Sequence, residues 1–191
     1  MQGIYKHISL ILRSLRQERG WSLDKTAQET GVSKAMLGQI EREESSPTIA
    51  TLWKIASGFH ISFSSFLAGV DVATKQSIHR SGQAQPFSPV NEKIQVISLF
   101  PFDDQLNCEI FLIELLPMCE HLSLPHKPGF IEHVIVVDGA MEVLLDGVWQ
   151  PLAKREGLRF NADQPHGYRN RTPENVCFHN IIHYPTKERI I

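Results

Sequence analysis

The chain has 191 residues, 42% of them hydrophobic and 21% charged, with a formal net charge of −2, the make-up of a soluble globular protein holding one large domain or two small ones. No apolar run reaches the ~18–20 residues needed to span a bilayer, and the first twenty residues lack the apolar block and cleavage site of a secretory leader, so the expectation is a cytoplasmic protein with no membrane anchor. The three cysteines, Cys108, Cys119 and Cys177, are far apart and form no Cys-x-x-Cys pair, which argues against a disulfide framework or zinc knuckle and for buried reduced thiols.

Residues 1–70 carry eight Lys/Arg against six Asp/Glu, and residues 71–191 carry eleven against fifteen. A mildly basic first part and an acidic second part suit a division between nucleic-acid contact and another task. The hydrophobic period divides at the same place. Ile4, Ile8, Ile11, Leu12 and Leu15 predict a first helix stopped by Gly20. Ser22 reads as the cap of a short helix through Glu29, Gly31 breaks it, and Ser33 caps the next, with Met36, Leu37 and Ile40 turned inward. Ser46-Pro47 reads as a cap followed by a first-turn proline, ahead of Ile49, Leu52, Trp53 and Ala56, with Gly58 ending that helix. A last short helix carries Phe63, Phe66 and Leu67.

Five helices over residues 1–70 predict a compact all-α domain. Residues 71–93 are polar, hold Pro86 and Pro89, and read as a partly extended linker. From Ile94 to the end the pattern is β. IQVISLF, CEIFLIEL, EHVIVVDG and MEVLLDG are separated by turn signals at Pro101, Pro117, Pro125, Asp138-Gly139 and Asp146-Gly147. The last of these is a hairpin signal, and many short strands at this spacing predict a sandwich or barrel. The fold class is therefore α+β with two domains.

Ser22–Arg42 has the layout of a helix-turn-helix. Gly31 supplies a turn conformation that a Cβ resists, Ala27 allows the two helices to cross closely, and Val32, Leu37 and Ile40 seat the second helix. Ser33, Lys34, Ala35, Gly38 and Gln39 form the face left for the major groove. The string LRQERGWSLDKTAQETGVSKAMLGQIEREESSPTIATLWKIASGF resembles the helix-turn-helix domain of the Xre family, the five-helix fold of the lambda repressor. The resemblance implies operator DNA as partner, with base reading by Ser33, Lys34, Ala35 and Gln39 and a phosphate contact by Arg42. Lys34 would donate to guanine and Gln39 would bracket adenine. Where the family has glycine and basic residues after this helix, Glu43 and Glu44 stand here, which weakens nearby phosphate contacts.

The segment HKPGFIEHVIVVDGAMEVLLDGVWQPLAKREGLRFNADQPHGYRN resembles the cupin family, a double-stranded β-helix or jelly-roll barrel. His126, Glu132 and Gly139 fit the first family motif, with Pro128 in place of its second histidine; His166 and Asn170 fit the second, with Arg155-Glu156 in place of its usual Gly-Asp. The resemblance implies a divalent transition metal (zinc, iron, nickel or manganese) on His126, Glu132 and His166, a facial set with open positions. Arg159, Arg169, Tyr168, Asn170, His179 and His183 are further candidates for the pocket, while His133 points to the opposite face from Glu132. His121 is left unassigned.

Together the two resemblances imply a ligand-gated transcription regulator, not an enzyme. Its cupin domain would bind a small polar metabolite, such as an amino acid or organic acid, and so control a homodimer's grip on paired half-sites. Two alternatives stay open: a metal-dependent cupin enzyme of the dioxygenase or isomerase type carrying a DNA-binding domain, and a metal-free cupin serving only dimerisation.

Overall fold

Among the described residues, three of the four α-helices start behind a hydroxyl that accepts a backbone N–H of the first turn: Ser22 from Lys25, Ser33 from Met36 and Thr48 from Thr51, each satisfying a donor the helix leaves orphaned. The computed structural model describes residues 2–67, 86–90 and 92–185 and divides into two compact units, Met1–Thr74 and Lys75–Ile191. The first contains α1 (Gln2–Glu18), α2 (Leu23–Thr30), α3 (Lys34–Glu41), α4 (Ile49–Phe59) and a 3₁₀ turn at Phe63–Phe66. The expected fifth α-helix is only that turn. Side chains at i and i+3 eclipse in a 3₁₀ turn, so one turn suffices to bury both Phe63 and Phe66.

Two boundaries differ from expectation. The cap of α4 is Thr48 rather than Ser46, and Pro47 is buried ahead of it. Gly58 does not end α4, which runs to Phe59 and closes at His60 in the left-handed region. Gly58 is needed for contact: a Cβ there would lie 2.7 Å from the Glu29 carbonyl oxygen and 2.7 Å from Thr30 Cγ2, so the end of α2 rests on the backbone of α4. Ile8, Leu12, Leu37, Ile40, Leu52 and Ile55 fill the core. Trp21 stacks on Phe59 and Trp53 on Phe63.

The second unit is a pair of antiparallel sheets. One has the order β1-β2-β9-β4-β7 and the other β3-β8-β5-β6. The strands are β1 (Ile94–Asp103), β2 (Cys108–Leu115), β3 (Glu120–Ser123), β4 (Ile131–Asp138), β5 (Ala140–Leu145), β6 (Val148–Ala153), β7 (Gly157–Asn161), β8 (His166–Arg169) and β9 (Val176–His183). Burial alternates residue by residue along β2 and β9, as expected when one face of a sheet meets the core. Phe111, Leu115, Val134, Val143, Tyr168 and Phe178 lie between the sheets.

The Asp146-Gly147 hairpin has both residues at positive φ, 50° and 75°, the type I′ geometry whose twist suits the β5–β6 pair. Pro101 does not end β1. It lies within the strand, inside the register shift between Phe100 and Asp103, and β1 is an edge strand where a missing N–H is tolerated. Of the stretch 71–93, residues 71–85 and 91 lie outside the described residues. Its described end packs on the barrel: Phe87 is buried and exchanges both backbone hydrogen bonds with Val96. Among the described residues all three cysteines are free, and no helix is long and apolar enough to cross a membrane.

Candidate functional site

Gly31 sits at φ 66° and donates its N–H to the Ala27 carbonyl, turning the chain from α2 into α3 through the conformation that a Cβ disfavours. Ser33, Lys34, Ala35, Gln39 and Arg42 are all exposed on or beside α3. Gly38, expected on the same face, is buried, with the Arg42 guanidinium 3.0 Å from where its Cβ would be. Lys34 pairs with Asp24 at 2.8 Å and Arg42 with Glu44 at 2.7 Å. Both pairs are exposed, so a phosphate or base edge can replace the carboxylate at little cost. Glu43 occupies a left-handed backbone position, φ 61°, where the family's glycine would be unstrained.

Beneath α3 lies an ion pair that sequence reasoning missed. Arg16 on α1 donates to both oxygens of Glu41, at 2.6 and 2.9 Å, and to the Trp21 carbonyl. Ser9 donates to the Glu41 carbonyl. The Glu41 hydrogen bond outweighs burial and raises the Arg16 pKa. These bonds fix the rotation of α3 about its axis, and so decide which side chains it presents. Only the coincidence of a charged residue with the apolar phase of α3 signals the pair in the sequence.

In the second unit, β4 delivers Glu132 to the interior, β8 delivers His166, and the loop before β4 delivers His126. Their ligand atoms lie within 4.8 Å of one another. His126 Nε2 is 2.9 Å from Glu132 Oε1, and His166 Nε2 is 3.4 Å from the same oxygen. The other oxygen, Oε2, accepts from the Tyr168 hydroxyl and from Asn180 Nδ2 at 2.9 Å. Gly167 allows this packing, since a Cβ there would meet the His121 carbonyl oxygen on β3 at 2.7 Å.

The donor set fits a cation. His166 Nδ1 lies 2.9 Å from the Gln164 carbonyl oxygen, which only accepts, so Nδ1 carries a proton. In the neutral ring Nε2 then offers a lone pair, and that buried atom has no hydrogen-bond partner. Burial raises the Glu132 pKa, but the two imidazoles beside its Oε1 outweigh burial and hold the carboxyl well below its ordinary range. Burial lowers His166, and Glu132 overcomes this to leave it raised. Burial, then the Glu132 charge, pushes Tyr168 well up, keeping it a donor.

Other expected pocket residues stand elsewhere. His179 and His183 alternate with Asn180 and Ile182 on β9 and share the face opposite Glu132, where His183 meets His133 with ring centroids 5.1 Å apart. Arg159 pairs across from His133 on β7 and is exposed on that same outer face. Arg169 is bound to Glu142 through two hydrogen bonds and lies over Trp149. Asn170 is buried but spent, donating to the Leu115, Leu116 and Glu174 carbonyls and accepting from Thr172. Pro128 is exposed. Tyr168 alone of these candidates touches the cluster.

Sequence reasoning also missed His121 and Asn180. His121 is paired across from Tyr168 on β3, and its side chain is 12% exposed. Burial, then the charge of His166, lowers its pKa to about 4. Asn180 had a legible signal, being the polar residue in the inward phase of an apolar strand.

A helix-turn-helix model (HTH_3) matches residues 12–66, and a cupin-domain model (Cupin_2) matches residues 111–182. The HTH-type transcriptional regulator SutR of Escherichia coli (strain K12) is 47% identical over 185 residues, 97% of this chain and 99% of that protein. The crystal structure of an HTH_3 family transcriptional regulator from Vibrio cholerae, 46% identical, superposes with a TM-score of 0.78 and covers 96% of this chain and 98% of that one.

Proposed function

We propose that this chain, which belongs to the helix-turn-helix transcriptional regulators with a C-terminal cupin domain, reads an operator through α3 under the control of a small polar effector held in the cupin barrel. Ser33, Lys34, Ala35 and Gln39 enter the major groove and Arg42 takes a phosphate. His126, Glu132 and His166 hold a divalent transition metal: zinc, iron, nickel or manganese. When bound, the metal supplies the positive charge that an amino acid or organic acid meets with its carboxylate. Tyr168 and Asn180 keep Glu132 in place. The protein acts in the cytoplasm as a homodimer, so that two α3 helices fall about one DNA turn apart.

The observation that carries this reading is the convergence of two imidazoles on a single carboxylate oxygen, with the buried His166 Nε2 left without a hydrogen-bond partner. Footprinting on an operator selected from random duplexes tests the DNA half. Lys34→Ala and Gln39→Ala are each expected to relax base preference by ~1–3 kcal/mol, and unchanged footprints for both would remove α3 from the recognition role. The same two-histidine, one-carboxylate set also favours a metal-dependent enzyme. That alternative requires turnover by the metal-loaded protein of a substrate absent from the regulatory reading.

A further inference from the structure

The two oxygens of Glu132 have different partners. Oε2 accepts from Tyr168 on β8 and from Asn180 on β9. These strands belong to different sheets, so the carboxylate is gripped from both sides of the barrel. Two donors use the two lone-pair directions of that oxygen. Oε1 meets only the histidine ring nitrogens, His126 Nε2 at 2.9 Å and His166 Nε2 at 3.4 Å. The amide and phenol donors are both on Oε2, and the two imidazole nitrogens are both at Oε1.

We propose that Tyr168 and Asn180 are positioning residues that hold Glu132 as a one-oxygen metal ligand, presenting Oε1 alone to a divalent cation between His126 and His166. The inference rests on the metal reading above. A second Glu132 oxygen would occupy a coordination position. With Oε2 tied back, a six-coordinate metal on three protein atoms keeps three positions open. That is room for an effector that chelates through a carboxylate and a neighbouring amino or hydroxyl group.

The test uses the full chain stripped with chelator and titrated with cobalt(II), read by calorimetry and by visible absorption, which responds to coordination number. The wild type is expected to bind one equivalent. Tyr168→Phe and Asn180→Ala are each expected to bind 10–100-fold more weakly, the range for lost outer-shell partners, with a changed absorption envelope. Val176→Ala, buried at the start of β9 away from Glu132, lowers stability without touching the carboxylate and should keep wild-type affinity and spectrum.

Wild-type affinity and spectrum in both positioning variants would overturn the inference and leave the metal reading standing. An equal loss in Val176→Ala would assign the effect to stability and overturn it too. No cobalt bound by the wild type would remove both. Independently of any variant, a crystal structure of the zinc-loaded wild type should place Oε1 about 2.1 Å from the metal with Oε2 still on Tyr168 and Asn180. Two-oxygen coordination would overturn the proposal.

Discussion

Replacing Arg16 by methionine leaves the Glu41 carboxylate buried, with only 6% of its side chain exposed, and removes both of the guanidinium's bonds to it. Breaking a buried pair from one side costs about 3–5 kcal/mol. Two features reduce that here. Arg16 keeps 19% of its side chain in water, and Arg13, half-exposed, already stands 4.0 Å from Glu41 and can swing towards it. The expected loss is therefore about 2–3 kcal/mol. For a domain of this size that corresponds to a melting shift on the order of 10–20 °C. Among the described residues all α-helix lies in the first unit, so far-ultraviolet circular dichroism of the full chain follows its unfolding. The double variant Arg16→Met/Glu41→Met, with no stranded charge, should recover most of the loss. A single variant melting within about 3 °C of wild type would show that the pair acts as a weak surface bridge, and a double variant no better than the single would show that the carboxylate is not the source of the penalty.

His121 makes stability depend on acid. With the folded pKa near 4 and an ordinary value of 6.5, the unfolded state binds more protons between those limits. Stability therefore rises with pH across that window, by about 3 kcal/mol in all. His121→Gln should flatten the curve there in denaturant titrations, and an unaltered acid slope would contradict the burial argument. Glu43→Gly removes a left-handed penalty of roughly 1 kcal/mol, offset in part by glycine's larger chain entropy. It also removes a negative charge beside the expected phosphate path. A slightly higher melting temperature is expected, with a gain in operator affinity over wild type that is larger at low salt than at high salt; weaker binding than wild type at low salt would show that Glu43 makes a favourable contact.

The helical half was legible because its signals are local. Ser22, Gly31 and Ser33 perform as caps and turn at the positions their chemistry assigns, and the exposed face of α3 follows from the spacing of Leu37 and Ile40. Gly58 was misread because a glycine that ends a helix and one that admits a neighbour look alike in sequence, and Gly38, expected on the groove face, is covered by the Arg42 side chain. The strands were legible by alternation, and so was the separation of Glu132 from His133. The pocket wall was harder to read. Attention to histidines selected His179 and His183, although the phase of β9, fixed by Phe178 and Ile182, turns Asn180 inward instead. Arg159 was read without the pairing that sets it opposite His133. The Arg16–Glu41 pair joins residues 25 apart in sequence, and no periodicity connects them.

The most direct test is the affinity of the selected operator duplex for the metal-loaded wild type and for His126→Ala/His166→Ala, measured at fixed salt against a panel of amino acids and organic acids. At least one compound is expected to shift the wild-type dissociation constant five-fold or more while leaving the folded double variant unmoved. A shift of equal size in the double variant, or a wild type indifferent to every compound, would contradict control of DNA binding by the barrel cluster.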